Sequence, residues 1–217
     1  MIYIKKGIPI ICLIFSLILA VSSLYMPYWG VWNSRADELA SNTTKSAYFM
    51  PSQNIIAGDS KANISIVKPF SEIAENDTNK SSLSSLFTVT LNISIAGMVL
   101  TVVALILSIF STLKKKMLFH WAWIIGMIGA LLLLLAPFYM VIQITPAFEK
   151  FTNVIPAEIG TVTGKQVASF WGGAQTWVWG AGSGWILLFV AALMGFVGSI
   201  MINIIKNMQE QQVKKFF

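Results

Sequence analysis

Residues 86–141 read LFTVTLNISIAGMVLTVVALILSIFSTLKKKMLFHWAWIIGMIGALLLLLAPFYMV. Two apolar runs, Leu86–Ile109 and Met117–Val141, flank a short turn, Ser111–Lys116, that ends in Lys114-Lys115-Lys116. Each run reaches the roughly 20 residues that a helix needs to cross a bilayer core. Neither contains Asp, Glu, Arg or Lys. The stretch predicts two membrane-spanning helices joined by a tight, lysine-bearing turn, with Thr88, Thr90, Asn92 and Ser94 making the first turns of the earlier helix polar.

Working outward, two further runs have the same character, Pro9–Tyr28 and Trp177–Ile205. Pro9 falls near the first turn expected for its span, where proline is tolerated. The basic start Met1–Lys6 followed by an apolar run has the form of a signal anchor. Composition agrees: 56% of the 217 residues are hydrophobic and 11% charged, against about 25% charged in soluble domains. The expected fold is all-α and membrane-bound, a four-transmembrane-helix bundle with a small extracellular β element. It forms a single membrane domain over residues 1–217, with spans at 9–28, 86–109, 117–141 and 177–205 and outer loops at 33–85 and 143–176.

Lysine placement sets the threading, because cytoplasmic loops carry an excess of Lys and Arg. Lys5, Lys6, Lys114, Lys115, Lys116, Lys206, Lys214 and Lys215 flank the helices on one side, with Glu210 as the only acid there. The two long loops hold seven basic and eight acidic residues. The expected location is the cell membrane, multi-pass, with both termini cytoplasmic. The net charge of +6 is then a topology signal, and no nucleic-acid partner is expected. Trp29, Trp32, Trp177 and Trp179 fall at the outer ends of the spans and Trp121 and Trp123 at an inner end. Six interfacial anchors of a membrane belt account for them.

In the first loop, Ala62–Val67 alternates as a strand does. Tyr48-Phe49-Met50-Pro51 is an apolar point in polar surroundings. In the second, Ile159–Gly164 reads as a short strand or hairpin, and Val167–Val178 mixes aromatic residues with glycine. Asn42, Asn63, Asn76 and Asn79 begin acceptor sequons for glycosylation in the loop assigned outside; Asn92 begins a fifth, too close to the membrane to be reached.

Chemistry is sparse. Ionisable groups within a span would be the default functional sites, and the four spans hold none away from their ends. His120, the only histidine, reads as an interfacial surface residue; Cys12, the only cysteine, as a small buried apolar one. Asp77–Ser81 has the alternating oxygens of a calcium loop without its glycine or terminal glutamate. No catalytic residue, cofactor or metal site is expected. What the spans do contain is small residues at packing distance: Gly126, Gly129, Ala191, Gly195 and Gly198. Close backbone approach drives helix association in lipid. Asn203 and Gln143 are further polar groups able to bond across helices.

Met26-Pro27-Tyr28-Trp29, at the end of the first span, resembles the Pro-x-Trp that closes the first helix of claudins. The loop layout is similar to that of the claudin and peripheral-myelin-protein group of tetraspan membrane proteins. The resemblance implies a left-handed four-helix bundle, an outer sheet built mainly from the first loop, and a role in adhesion, barrier formation or association with membrane proteins. Gly30-Val31-Trp32 lies closer to the helix than the family's Gly-Leu-Trp, and the family's loop-one cysteine pair is absent. The run Trp179–Trp185, tryptophan at each end with alternating glycines, also resembles helix openings of uncharacterised archaeal four-helix membrane proteins.

The expected function is therefore non-enzymatic: a structural or interaction protein, or an accessory subunit of a membrane or surface complex, presenting its outer loops to partners. Those partners would be the lipid bilayer and other membrane proteins or a homo-oligomer. The alternative is a small transporter or channel using uncharged polar groups such as Thr88, Thr90, Asn92 and Asn203.

Overall fold

The computed structural model describes residues 2–33, 45–59, 62–70, 80–113, 118–149, 151–167, 169–174 and 176–214. The chain forms helix α1 (Ile2–Ser23), strands β1 (Trp29–Asn33), β2 (Lys45–Phe49), β3 (Asn54–Asp59) and β4 (Ile64–Pro69), helices α2 (Lys80–Leu113) and α3 (Leu118–Phe148), strands β5 (Gly172–Ala174) and β6 (Trp177–Ala181), and helix α4 (Ser183–Lys214). These residues group into two compact units. The first takes Met1–Ser22, Asn92–Ala136 and Leu187–Phe217, and the second takes Ser23–Leu91 and Pro137–Ile186.

The expectation of an all-α, four-transmembrane-helix bundle with a small β element is corrected on two counts. Among the described residues three helices, not four, are long and apolar enough to cross a membrane: Ser82–Thr112, Leu118–Phe148 and Ser183–Met208. The described apolar part of α1 is the shorter Gly7–Ser23. At 1.5 Å per residue it spans about 25 Å, less than the roughly 30 Å hydrocarbon core. The β part, in turn, is a six-stranded sheet.

Helix α2 begins at Lys80 and α3 runs on to Phe148, so both extend into the stretches expected as outer loops 33–85 and 143–176; two further boundaries differ for local reasons. The first helix stops at Ser23 and not at Tyr28, because Pro27 pushes the residue before it toward extended backbone. The expected fourth span begins as strand β6, and α4 starts only at Ser183. Trp177-Val178-Trp179 alternates with period two, and Gly180 and Gly182 weaken any helix there. Pro9 lies within α1 and not in its first turn.

The first unit packs through small residues. Ser16 Oγ donates to the Ala191 carbonyl at 2.7 Å. A Cβ on Gly198 would lie 3.2 Å from atoms of Cys12 and Leu13, and one on Gly195 would lie 3.1 Å from Ala130. Gly126 meets Ser199 and Ala104, and Gly129 meets Thr101 and Gly97. Leu13, Ala104, Phe119, Ala122, Ile202 and Ile205 form a buried cluster. As numbering rises along α1 it falls along the facing part of α4, so the two helices run antiparallel.

In the second unit every strand pairing is antiparallel, in the order β4-β3-β2-β1-β6-β5. Trp29, Val31, Ala47, Phe49, Ile55, Ala57, Trp177 and Trp179 line one face and are all buried. Phe49 sits at the centre, its ring centroid 5.2 Å from Trp29, 5.4 Å from Phe148 and 5.9 Å from Phe70. The first turns of α2 add Leu83, Leu86 and Phe87, and the segment after α3 adds Phe151, Val154, Ile155, Ile159 and Val162, all buried. That segment is irregular and ends in a short 3-10 turn at Gly164–Gln166, so Ile159–Gly164 is neither strand nor hairpin. Asn153 organises it: its side chain donates to the Gly160 carbonyl at 3.0 Å and accepts from the Val162 N–H at 2.8 Å.

Candidate functional site

The two faces of the sheet differ in a way that reverses the usual pattern. Successive strand residues point to opposite faces, so the registers assign every side chain. Lys45, Asp59 and Lys68 are the only charged residues on the described strands, and all three share the inner face with the buried aromatics. Lys45 Nζ lies 3.4 Å from Asp59 and donates to the Ile159 carbonyl at 3.1 Å. Asp59 also accepts from the Ala62 N–H at 3.3 Å. Lys68 pairs with Glu158. These ions fasten the 151–167 segment across the inner side of β2, β3 and β4.

The outer face carries no charge among the described residues. Gly30, Tyr48, Ile56 and Val67 stand side by side across β1, β2, β3 and β4. Gly30 continues the row to Gly180 on β6. A parallel row runs Val178, Trp32, Ser46, Gly58 and Ser65. Exposure is high for Val67 (64%), Trp171 (53%), Ile56 (39%) and Tyr48 (37%). A Cβ on Gly30 would meet the Tyr48 ring at 2.8 Å, and one on Gly180 would meet Trp171 at 2.7 Å. Each ring therefore lies across a neighbouring glycine. Contiguous apolar surface that is rimmed by polar residues marks interaction sites. Depletion of charge with enrichment in aromatics is the composition of an interface core.

The six tryptophans expected at membrane interfaces are divided by the structure. Trp29 is fully enclosed, and its indole N–H donates to the Phe170 carbonyl at 2.9 Å. Trp177 and Trp179 belong to the buried inner face, and Trp32 to the outer one. Trp121 is 51% exposed and Trp123 packs against the helical cluster. The glycine and alanine positions singled out for helix packing, Gly126, Gly129, Ala191, Gly195 and Gly198, all lie inside the first unit. Cys12 is buried. Asn63 is exposed at the β3–β4 turn with φ of 51°, a left-handed conformation that asparagine tolerates. Asn42, Asn76, Asn79 and the calcium-like Asp77–Ser81 lie outside the described residues.

The polar groups considered for a solute path have other duties. Thr88 accepts a hydrogen bond from the Gln53 side chain at 2.7 Å, and Gln53 in turn accepts one from Ser84. Thr90 donates to the Leu86 carbonyl at 2.8 Å. Asn92 is exposed on α2 and Asn203 half-buried on α4. Among the described residues no group of three or more His, Cys, Asp or Glu could hold a metal ion.

Reading the sequence alone missed Ile56, Val67, Trp171 and Val178. The signal was present as period-two alternation in Asn54–Asp59 and Trp177–Ala181, but only the strand register aligns these side chains. No protein-family model matches the chain, and no curated protein matches it in sequence.

Two expected outcomes follow from the ion pairs. Lys45→Met keeps most of the side-chain volume and removes the cation beside Asp59, which is 7% exposed. Denaturant titration should show a loss of about 1–3 kcal/mol, because water screens a lysine side chain that is 38% exposed. Adding Asp59→Asn to that variant should recover part of the loss. Glu158 is held below the ordinary carboxylate range, first by its hydrogen bond from Lys68. A lowered folded-state value stabilises at pH above the ordinary carboxylate range, and that contribution disappears as pH falls through the lowered value. Comparing Glu158→Gln with the parent protein across that acidic window should show the two stability curves converging at the acid end.

Proposed function

We propose that this is a non-enzymatic integral membrane protein that works by contact. It presents its sheet-bearing unit outside the cell to other membrane proteins or to a second copy, as a structural or accessory component of a membrane or surface complex. The observation that carries the reading is an outer face that bears no charge among the described residues, with Tyr48, Ile56, Val67 and Trp171 exposed on it, while every charge on the described strands is turned inward.

The orientation is supported by the lysine bias of the helical unit, whose sequence holds eight lysines against a single acid, Glu210. The claudin-like reading is supported by a sheet that takes four strands from residues 29–69 and two from residues 172–181, the division the resemblance implies. The missing cysteines depart from it; in their place, β1 is fixed by pairing on both sides. Glycosylation at Asn63 is supported by its exposure at a turn on the sheet-bearing unit.

The test is association measured in mild detergent by mass determination after crosslinking. Parent protein should run as a defined oligomer or with a co-purifying membrane protein. Ile56→Asp, at a position 39% exposed, should keep the thermal transition of the parent and lose the associated mass. A parent protein that is strictly monomeric, with no co-purifying chain, would overturn the reading.

A further inference from the structure

We propose that two copies of this chain join edge to edge, β4 of one pairing antiparallel with β4 of the other about Ile66; this rests on the contact reading above and gives the second copy its place. β4 ends the six-stranded order, and among the described residues no strand lies beyond it. Two backbone bonds fix which of its groups are engaged. The Met50 N–H donates to the Asn54 carbonyl and the Phe70 N–H to the Gln53 carbonyl, both at 2.9 Å, and each continues a strand register by one residue. Bonded and non-bonded pairs alternate along an antiparallel ladder. The even-numbered residues of β3 therefore bond to β2 and the odd-numbered ones to β4. On β4 itself, Ile64, Ile66 and Lys68 bond to β3. The N–H and C=O groups of Ser65 and Val67, and the carbonyl of Pro69, point away from the sheet.

Such a row is a template for another strand, and natural edges guard it with charge or proline. Here the guard is weak. The only charge on β4, Lys68, is drawn to Glu158, and Pro69 stands at the strand's last residue. The side chains at the edge are apolar on both faces. Val67 is 64% exposed on the outer face. Ile64 and Ile66 are half-buried on the inner face, although their β3 neighbours Asp59 and Ala57 are buried. Apolar surface on both sides of one edge is covered at once by a strand that continues the sheet.

The sequence of β4 suits a copy of itself. In a two-fold contact outward-pointing groups must meet outward-pointing groups, so the pairing is centred on Ser65, Ile66 or Val67. Centred on Ser65, it sets Val67 opposite Asn63, whose left-handed φ of 51° lies outside the strand. Centred on Val67, it sets Ser65 opposite Pro69, which has no N–H to give, and brings the two Lys68 positions within two residues of each other. Centred on Ile66, Ser65 and Val67 of one copy exchange both bonds with Val67 and Ser65 of the other. Ile66 then meets Ile66, and each Lys68 lies opposite an Ile64, with the two cations at opposite ends of the contact. Like charges set opposite each other destabilise a strand pair, so the centre at Ile66 is the one that charge and proline both favour. On the outer face the row Ile56–Val67 runs on into the second copy, and the uncharged surface becomes continuous across the pair.

The test is disulfide formation by the full chain in native membranes under mild oxidation. The parent, whose only cysteine is the buried Cys12, is the blank. The two Ile66 positions form a non-bonded pair with Cα atoms about 4.5 Å apart, within disulfide reach. Ile66→Cys should therefore yield a covalent dimer. Position 67 is offset from itself by two residues, about 7 Å along the strand on top of the gap between strands, so Val67→Cys should yield at least about tenfold less. Ser65→Cys and Val67→Cys expressed together should yield a dimer that neither gives alone, because those positions stand opposite at about 5.5 Å; this mixed experiment leaves Ile66 untouched. A parent that associates in detergent, while neither Ile66→Cys nor the mixed pair forms a dimer, would overturn the edge pairing and leave the contact reading standing. Equal dimer from Ile66→Cys and Val67→Cys would overturn the register and with it the proposal. A strictly monomeric parent would overturn both.

Discussion

Gly164→Ala should prevent the second unit from closing. A Cβ at this position would lie 1.7 Å from the Phe148 carbonyl oxygen and 2.7 Å from its carbon. Both atoms are backbone at the last turn of α3, so no rotamer change makes room. The Gly164 N–H also donates to the Phe151 carbonyl at 2.9 Å, which fixes the glycine against that turn. The cost should exceed about 4 kcal/mol, the range reserved for a named steric or burial failure. Gly7→Ala is the contrast: nothing lies within 4 Å of a Cβ there, and an alanine in a helix favours stability by up to about 1 kcal/mol. Thermal unfolding followed by tryptophan fluorescence separates the two, since Trp29, Trp177 and Trp179 all lie within the second unit.

The second large effect is expected at Phe49. Its side chain is fully buried, and four rings surround it: Trp29, Phe70, Phe87 and Phe148. Phe49→Ala removes the ring that ties β2 to the first turns of α2 and the last turn of α3. The expected loss is about 3–5 kcal/mol, read from denaturant midpoints. Phe49→Leu keeps apolar volume and should cost less, about 1.5 kcal/mol or below. A small loss for the alanine variant would mean that these rings do not form one packed cluster.

Some of this architecture is legible in the sequence, and the boundary between legible and illegible is physical. The helices α2 and α3 follow from two long apolar runs and a lysine turn, because a helix of such residues satisfies its own backbone bonds. Strand β4 follows from the alternation of Ile64, Ser65, Ile66 and Val67. Trp29 and Trp179 were not legible. A tryptophan at a helix end looks the same whether it faces lipid headgroups or a protein core, and here pairing between β1 and β6 decides. Those strands lie more than 140 residues apart, and no local pattern reports such a pairing.

The glycines near 182 show the same limit. Gly180, Gly182 and Gly184 read as the opening of a helix. In the structure Gly180 faces Gly30 across two strands, and the N–H groups of Gly182 and Gly184 donate to Tyr28 and Pro27. A Cβ on Gly182 would lie 2.1 Å from the Pro27 carbonyl oxygen, so the glycine is demanded by the chain that crosses it. The candidate site was hidden for a related reason. Lys45, Asp59 and Lys68 look like ordinary loop charges until the register assigns all three to one face, and only then does the opposite face stand out as uncharged.

The central claim is that the outer face of the sheet is the contact surface. It is tested most directly by a photoreactive side chain placed at Val67, irradiated in native membranes, with a second placed at Glu158 for comparison. Val67 is 64% exposed on the outer face, and Glu158 lies in the segment held to the inner face. A discrete protein adduct from position 67, absent from position 158, is the predicted result. Adducts from 158 alone, or none from 67, would contradict the account.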